Sequence, residues 1–365
     1  MIRPAQSIQA LPAATPFIGP ERLMRELGLG EFVRLGANES PFGPSPPAVA
    51  AMCEQMDRLS WYGDPDSLDL RDALAAKHRC SPENVLVGSG IDDVMGLAVR
   101  GWAGPGARAV ALRGTYPTFA YHVIGYGGTM DCVDYLPDGT PDLDGLIARA
   151  RDVKPSIVYL ANPDNPSGAF VSAGEIRRLY DALPDDALFV LDEAYADFVG
   201  DDELLPSTFD DRLFRVRTFS KAYGMAGARV GYVLTTPANI ATLHKIRLQY
   251  GVNRNAQIGA LASLRDDSFK RYVVEETACG RREYAALARE LGLSSLPSRT
   301  NFVCIDVGNA ERATRIVEDL IQRGVWIRKP GAAPLDRCIR VSVGDAPMRA
   351  AFARAFRSVL AEVRA

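Results

Sequence analysis

The sequence has few of the residues that build disulfide frameworks or metal sites. It contains six cysteines and three histidines among 365 residues, and no two cysteines form a Cys-x-x-Cys pair. Scattered cysteines with apolar neighbours are typical of buried, reduced thiols, so we expect neither a disulfide-rich fold nor a metal site. No charge sign dominates, since the formal net charge is −3. A strong basic field that would hold nucleic acid or an anionic membrane is therefore not expected.

Long hydrophobic runs are also missing. No apolar stretch approaches the length of a membrane span, and the N-terminus lacks a basic region followed by an apolar one. The sequence therefore predicts a cytoplasmic protein without a membrane or nucleic-acid partner. Its composition, 47% hydrophobic and 24% charged, is that of an ordinary globular protein. The chain is long enough for one large core and a smaller domain.

Short apolar runs alternate with helical patterns from about residue 84 onward. Runs such as Ile157–Leu160 and Leu188–Leu191 are apolar at consecutive positions, which is typical of strands buried on both faces. This alternation predicts an α/β fold with a mostly parallel seven-stranded sheet flanked by helices. The seven predicted strands are Asn84–Gly88, Arg108–Leu112, Thr129–Tyr135, Ile157–Leu160, Leu188–Leu191, Leu213–Thr218 and Arg229–Leu234.

The two ends of the chain have different patterns. Residues 1–45 are rich in proline and glycine, which predicts an ordered, extended segment instead of a helix. From about residue 265, helical stretches alternate with two further predicted strands, Asn301–Val307 and Cys338–Val343. We therefore predict a large domain over residues 46–262 and a smaller α/β C-terminal domain over 263–365. The N-terminal segment, 1–45, is expected to join the small domain and the active-site entrance.

One lysine has an unusual setting. Lys221 follows a predicted strand and lies among small residues in the run Ser220–Arg229, where the backbone can approach a ligand closely. A lone lysine after a serine is more often a solvated surface residue. A nucleophilic lysine needs burial or nearby positive charge to lower its pKa. Lys221 is thus a candidate amine for a Schiff base.

Polar side chains follow two other predicted strands. Asp192 comes directly after Leu188–Leu191, and Asn165 lies in a turn-rich segment after Ile157–Leu160. Ligands bind at this carboxyl edge in open α/β sheets. Asp192 could hold a protonated ring nitrogen, and Tyr195 could bond a phenolic oxygen of the same ring. Singly, Asp192 could equally be a helix cap and Asn165 an ordinary Asn-Pro turn residue.

Three further features could complete a binding site. The Gly-Ser-Gly turn ending at Gly90 leads from a strand into a helix, whose first N–H groups suit a phosphate. Tyr116 could stack on an aromatic ring, or be a core tyrosine. Arg340 alternates with apolar residues in a strand, so it either faces solvent or, with Arg328, clamps a substrate carboxylate.

Three motifs together resemble those of fold-type I pyridoxal 5′-phosphate (PLP) enzymes, and most closely the histidinol-phosphate aminotransferase family. They are Asn-Pro-Asp-Asn-Pro-Ser-Gly at 162–168, Asp-Glu-Ala-Tyr at 192–195 and Ser-Lys-Ala-Tyr-Gly-Met-Ala-Gly-Ala-Arg at 220–229. The likeness extends from Ala37 to Gly344, nearly the whole chain. It implies a PLP-dependent aminotransferase that acts as a homodimer.

The resemblance also implies a role for each candidate residue. Lys221 would be the Schiff-base lysine, Asp192 the partner of the pyridine nitrogen, and Asn165 and Tyr195 the groups at the phenolic oxygen, with Tyr116 stacked on the ring. The phosphate would be held by Thr218, Ser220, Arg229, the backbone around Gly90, Ile91 and Asp92, and Tyr62 of the neighbouring subunit. The substrate would meet Arg340, with Arg328, Asn301 and Asn38 nearby.

The N-terminal segment departs from this family. It carries Phe17 where the family commonly has a tyrosine that helps to bind the substrate's phosphate, and phenylalanine lacks the hydroxyl. The predicted reaction moves an amino group from histidinol phosphate to 2-oxoglutarate. Aromatic amino acid transamination and decarboxylation of a phosphothreonine-like substrate remain as alternatives.

Overall fold

The structure is a computed structural model, and it describes residues 2–9, 11, 18–207 and 209–363. Phe17, the departure noted above, lies outside the described residues. The strands are β1 (Val33–Arg34), β2 (Val85–Gly88), β3 (Arg108–Leu112), β4 (Thr129–Val133), β5 (Ile157–Ala161), β6 (Leu188–Asp192), β7 (Leu213–Thr218), β8 (Gly231–Leu234), β9 (Ser294–Ser295), β10 (Phe302–Asp306), β11 (Val325–Trp326) and β12 (Cys338–Ser342).

Helices separate most of these strands. They are α1 (Gln6–Gln9), α2 (Pro20–Leu27), α3 (Pro46–Cys53), α4 (Leu68–His78), α5 (Ile91–Trp102), α6 (Pro117–Gly125), α7 (Leu143–Val153), α8 (Ala173–Ala182), α9 (Pro237–His244), α10 (Arg254–Leu264), α11 (Asp267–Glu290), α12 (Ala310–Gln322) and α13 (Ala346–Val363). None of the helices in the described part of the chain is both long and apolar enough to cross a bilayer.

The predicted seven-stranded sheet is confirmed. Its strand order is β2-β8-β7-β6-β5-β3-β4. The pairs from β7 to β4 are parallel, whereas β8 runs antiparallel to both of its neighbours, β2 and β7. Apolar side chains fill both faces of the sheet, as in β5 and β6, where every residue is buried. The carboxyl ends of β3 to β7 therefore lie along one edge.

Five of the seven predicted strands have different bounds, three of them by one residue and two of them by two residues. The strand expected over Thr129–Tyr135 ends at Val133, and the one expected from Arg229 begins at Gly231. Arg229 has a left-handed backbone, with φ of 57°, which interrupts an extended strand. The side chain of Arg229 thereby lies in a turn and not on the sheet.

The prediction of an extended, non-helical N-terminal segment is wrong for residues 6–9, which form α1, and for residues 20–27. The latter form α2, which begins with Pro20 in its first turn and is followed by Gly28 with φ of 66°. Proline is well accepted in the first turn of a helix because its missing N–H would have no partner there. Pro20 therefore marks the start of a helix in this segment.

A second packing unit is built around the last third of the chain. β12, β10 and β9 form an antiparallel sheet, and β1 pairs in parallel with β11. Their apolar side chains share a core with α11, α12 and α13, to which Leu35 of the N-terminal segment also belongs. The strands predicted over 301–307 and 338–343 are confirmed as β10 and β12.

Candidate active site

The sheet edge described above gathers the predicted site residues. Asp192 is the last residue of β6 and Thr218 the last of β7, while Asn165 follows β5 and Ile91 begins α5 after β2. Parallel neighbouring strands end at the same edge, so residues far apart in sequence converge there. The strand–helix order of the chain thus produces one pocket.

Asp192 is a buried carboxylate with neutral hydrogen-bond partners. The Tyr159 hydroxyl donates to its Oδ2 at 2.6 Å, and the Ala194 N–H donates to its Oδ1 at 2.9 Å. Burial raises the pKa of Asp192 to about 6, although these two donors and nearby Lys221 act in the opposite direction. A cationic N–H bound at this carboxylate would relieve the cost of burying it.

Lys221 lies against Asn38 and Tyr195. Its Nζ donates to the Asn38 carbonyl at 3.1 Å and lies 5.6 Å from the centre of the Tyr195 ring. Burial, followed by the positive charge of Arg340, lowers the pKa of the Lys221 amine to about 8. The amine is therefore partly neutral near neutral pH, as a nucleophile or general base must be.

Asn38 and Asn301 complete this side of the pocket. The Asn38 Nδ2 donates to the Tyr195 hydroxyl at 2.9 Å, and the Asn301 Nδ2 donates to the Asn38 carbonyl at 3.0 Å. The pKa of the Tyr195 phenol is raised to about 12 by burial. Tyr195 therefore keeps its proton and can donate it in a hydrogen bond.

Two side-chain hydroxyls, one guanidinium and the backbone of Gly90 form a cup at the start of α5. Thr218 Oγ1 lies 2.9 Å from Ser220 Oγ, and Arg229 Nη1 lies 3.4 Å from the same Ser220 oxygen. Arg229 Nη2 pairs with Asp92 Oδ2 at 3.2 Å. Gly90 has φ of 86°, and a Cβ at this position would overlap the Arg229 guanidinium. These donors suit a phosphate group.

Tyr116 closes one side of the cup. It lies at the N-terminus of α6, and its hydroxyl donates to Asp92 Oδ1 at 2.9 Å. The pKa of the Tyr116 phenol is raised, mainly by burial and then by the Asp92 charge. Asp92 therefore links Tyr116 to the guanidinium of Arg229.

Arg340 points into the pocket and not into solvent. Its Nη1 donates to Asn165 Oδ1 at 2.5 Å, and its Cζ lies 5.3 Å from the centre of the Phe302 ring. Its backbone pairs with that of Arg328 in an antiparallel bridge. Burial and the neighbouring Arg340 lower the pKa of Arg328. Two adjacent guanidinium groups at a pocket favour an anionic ligand.

Two buried polar atoms beside this pair have no hydrogen-bond partner in the described structure. They are Arg340 Nε and Asn301 Oδ1. Buried polar groups are rarely left unpaired in folded proteins. A polar ligand in the pocket would supply the missing partners.

Tyr62 is separate from these contacts. Its side chain is 73% exposed and stacks on Tyr250 with ring centroids 4.4 Å apart. The structure brings the other predicted residues into the pocket contacts already described, namely Asn38, Gly90, Ile91, Asp92, Tyr116, Asn165, Asp192, Tyr195, Thr218, Ser220, Lys221, Arg229, Asn301, Arg328 and Arg340.

Tyr159 is a residue that the sequence reasoning missed. It lies fully buried in β5 and binds Asp192. Its phenol was the only polar group in the apolar run Ile157–Leu160. A buried tyrosine hydroxyl usually has a partner, so this group was the available signal.

Comparisons with known proteins agree with this geometry. The family model described as aminotransferase class I and II matches residues 30–356. Histidinol-phosphate aminotransferase 2 of Pseudomonas fluorescens (strain Pf0-1) is 33% identical over 361 residues, covering 97% of this chain and 96% of the relative. The histidinol-phosphate aminotransferase of Sphingopyxis alaskensis is 35% identical over 342 residues, covering 90% and 91%.

A solved structure is more similar still. The histidinol-phosphate aminotransferase of Sinorhizobium meliloti, solved in complex with pyridoxal 5′-phosphate, superposes with a TM-score of 0.95 at 41% identity. The match covers 100% of this chain and 99% of that one. The fold and pocket are those of a PLP-dependent transaminase. The chain belongs to the class I and II aminotransferase family, and the three relatives named above are histidinol-phosphate aminotransferases.

Proposed function

We propose that this enzyme transfers the amino group of histidinol phosphate to 2-oxoglutarate. The observation that carries the proposal is the cross-strand pair of Arg328 and Arg340, because the charge of Arg340 also helps to lower the pKa of the Lys221 amine. Such a pair suits substrates with a phosphate or a second carboxylate. The full-length similarity to histidinol-phosphate aminotransferases supports the same substrates.

The pocket fits PLP in three respects. Asp192 is a buried anion whose hydrogen-bond partners among the described residues are neutral, Lys221 is an amine with a lowered pKa, and Gly90 leaves space beside Arg229 that a Cβ would fill. Bound PLP would supply an electron-withdrawing ring that acidifies the substrate's Cα–H bond. The protein's part is to bind, orient and move protons around that ring.

Each group has a defined task in this proposal. Lys221 Nζ would hold the bound cofactor, and the same amine would take the proton from the substrate's Cα. Asp192 holds the proton on the ring nitrogen, and its burial strengthens that interaction. Arg340 binds the substrate carboxylate and positions Cα near Lys221, with Arg328, Asn301 and Asn38 around it.

The remaining site residues orient the cofactor. Asn165 and Tyr195 would hold its phenolic oxygen, and Tyr116 would lie against its ring. Its phosphate would be bound by the cup at α5. The members of that cup are Gly90, Ile91, Asp92, Thr218, Ser220 and Arg229.

We also propose that two chains form a homodimer. Large apolar side chains are exposed around the Tyr62–Tyr250 stack, and solvent-exposed apolar patches often mark interfaces. Tyr62 would reach from this surface to the phosphate of the partner's site. The exposed side chains of the surface are Met56, Leu59, Trp61, Tyr62, Leu248 and Tyr250.

We further propose that the chain is divided into two domains and that the protein is cytoplasmic. Separate cores on the large sheet and around α11 to α13 support a large domain over 46–262 and a small one over 263–365. Leu35, in the second core, associates segment 1–45 with the small domain. All six cysteines are free thiols, which suits the reducing cytoplasm.

The substrate is tested by single-turnover conversion of the bound cofactor to its amino form. Histidinol phosphate and glutamate are expected to react, and Lys221→Ala should lose both turnover and the visible absorbance of the lysine-bound cofactor. The exposed Lys245→Ala is the matched control and should behave as wild type. Rapid reaction of phenylalanine or tyrosine without histidinol phosphate would indicate an aromatic aminotransferase. Carbon dioxide release from phosphothreonine, without a 2-oxo acid, would indicate a decarboxylase.

Sharing of the site across the dimer is tested with hybrid dimers. Tyr62→Phe should weaken cofactor binding because the phenol no longer reaches the partner's phosphate, whereas Tyr126→Phe, at another exposed tyrosine, should not. In a hybrid of Tyr62→Phe with Lys221→Ala, one of the two sites regains both native residues. Wild-type cofactor affinity at half of the sites is expected. Binding equal to the average of the two parent variants would contradict sharing.

A further inference from the structure

Three charged side chains lie buried directly behind Asp192. Glu193, Arg215 and Arg217 are only 2%, 3% and 4% exposed. Arg215 binds Glu193 with two hydrogen bonds, Nε–Oε2 at 3.0 Å and Nη2–Oε1 at 2.7 Å. Arg217 Nε adds a third, to Oε2 at 2.9 Å. We name these residues the Glu193 triad.

The triad is charged despite its burial. Burial alone would raise the pKa of Glu193, but Arg215 and Arg217 outweigh it and lower the pKa to about 2. One carboxylate therefore faces two guanidinium groups in the protein interior. Buried ion clusters are weak contributors to stability, and apolar side chains of similar volume often replace them without loss. Stability is thus a poor explanation for the Glu193 triad.

The triad joins two strands at the point where each delivers site residues. Glu193 follows Asp192 at the end of β6, and its N–H donates to the Val216 carbonyl of β7 at 2.9 Å. Arg217 directly precedes Thr218, and Lys221 lies four residues beyond Arg217. A rotation of the β6 end would turn the Asp192 carboxylate away from its present direction.

We infer that Glu193 is a positioning residue that fixes the direction of the Asp192 carboxylate toward the cofactor's ring nitrogen. It acts through Arg215 and Arg217, which hold the ends of β6 and β7 in one register. The bidentate pairing with Arg215 restricts rotation of the Glu193 side chain, and the bond to Arg217 restricts its translation along β7. This inference rests on the proposed role of Asp192.

An apolar replacement of the triad separates positioning from stability. The triple variant Glu193→Leu, Arg215→Met, Arg217→Met should unfold at a denaturant concentration equal to or above that of wild type. Its reaction with L-glutamate in a single turnover should nevertheless be roughly tenfold to hundredfold slower, because small misplacements of reacting groups cost about that much. The pH midpoint of the cofactor's visible absorbance should also shift. The KM for L-glutamate should change little, since Arg340 is untouched.

The single variant Glu193→Gln provides a second measurement. It keeps the side-chain shape but loses the anion, so it should be less stable and show the same change of absorbance midpoint. Glu193→Asp, which keeps the anion, should recover part of that change. The matched control is Glu283→Gln, which replaces by a neutral amide the carboxylate that accepts from Nε of the buried Arg349 at 2.7 Å. This control should lose stability while keeping the wild-type absorbance and rate.

The outcomes are distinguishable. A stable triple variant with wild-type absorbance and rate would overturn the inference, as would equal spectral changes in Glu283→Gln. Asp192→Asn is measured in parallel. If Asp192→Asn is defective while the triad variants are normal, only the role of Glu193 fails. If Asp192→Asn itself reacts as wild type, the proposed role of Asp192 fails, and the inference falls with it.

Discussion

Replacement of Lys221 by methionine should make the cofactor-free protein more stable at neutral pH. The Lys221 amine has a pKa of about 8 in the folded chain, against an ordinary value of 10.5, because burial and Arg340 disfavour its charge. The folded chain therefore loses free energy whenever the amine must be charged. Methionine has a similar length, carries no charge and removes this cost.

The expected gain follows from the two pKa values. Lowering a lysine pKa from 10.5 to about 8 corresponds to about 3 kcal/mol of destabilisation at pH 7. Loss of the hydrogen bond from Lys221 to the Asn38 carbonyl opposes the gain by about 1 kcal/mol. We therefore expect Lys221→Met to raise the free energy of unfolding by roughly 1–3 kcal/mol at pH 7.

The gain should depend on pH with a defined sign. Between pH 8 and 10.5 the unfolded chain binds more protons at Lys221 than the folded chain does, so wild-type stability rises with pH in that window. The advantage of Lys221→Met should be complete below pH 8 and should shrink above it. Urea unfolding of cofactor-free protein at fixed concentration, followed by tryptophan fluorescence at pH 7 and pH 9.5, measures this.

The exposed Lys245→Met serves as the control, with an expected change within about 0.5 kcal/mol. A Lys221→Met variant less stable than wild type at pH 7 would refute the reasoning. So would a gain that stays constant from pH 7 to pH 9.5. Either result would mean that the folded protein does not hold the amine under electrostatic strain.

Two further predictions concern cofactor binding. The rate at which cofactor attaches to cofactor-free enzyme should rise with pH around a midpoint of about 8, because the neutral Lys221 amine is the reactive form. Arg340→Gln should raise that midpoint because it removes a positive charge near Lys221. The midpoint should stay below 10.5, since burial still lowers the pKa of the Lys221 amine. An unchanged midpoint in stopped-flow absorbance would contradict this. Gly90→Ala should weaken cofactor binding at least tenfold in a spectroscopic titration, because a Cβ at φ 86° overlaps Arg229. Gly174→Ala, whose Cβ meets open space, is the control, and equal affinities would refute the steric argument.

The large sheet was predictable because its strands are short apolar runs with clear boundaries. All seven predicted strands occur, since consecutive apolar residues such as those of β5 and β6 can be buried only between two layers of helices. The predicted strand ends were wrong where a particular side chain or backbone angle, and not the pattern of apolar residues, decides where the strand ends. Arg229 was placed in a strand but lies in a turn with a left-handed backbone.

The site was predictable to the extent that its residues occur in recognisable local motifs. Asp192 ends a strand, Lys221 and Asn165 each follow one, and the parallel sheet brings those strand ends together. Tyr159 and Glu193 lie outside that reasoning, because their roles depend on partners in neighbouring strands. Periodicity along the chain contains no information about which strands become neighbours.

The sequence by itself determined the fold class, the candidate Schiff-base lysine and the order in which the strand ends present their polar groups, because these depend on local pattern and short motifs. The tertiary structure decided the electrostatics. Burial lowers the pKa of Lys221 and raises that of Asp192, and Arg340 contributes to the first effect from a strand more than a hundred residues away. Such shifts depend on desolvation and on distances between charges, and only the folded chain sets both.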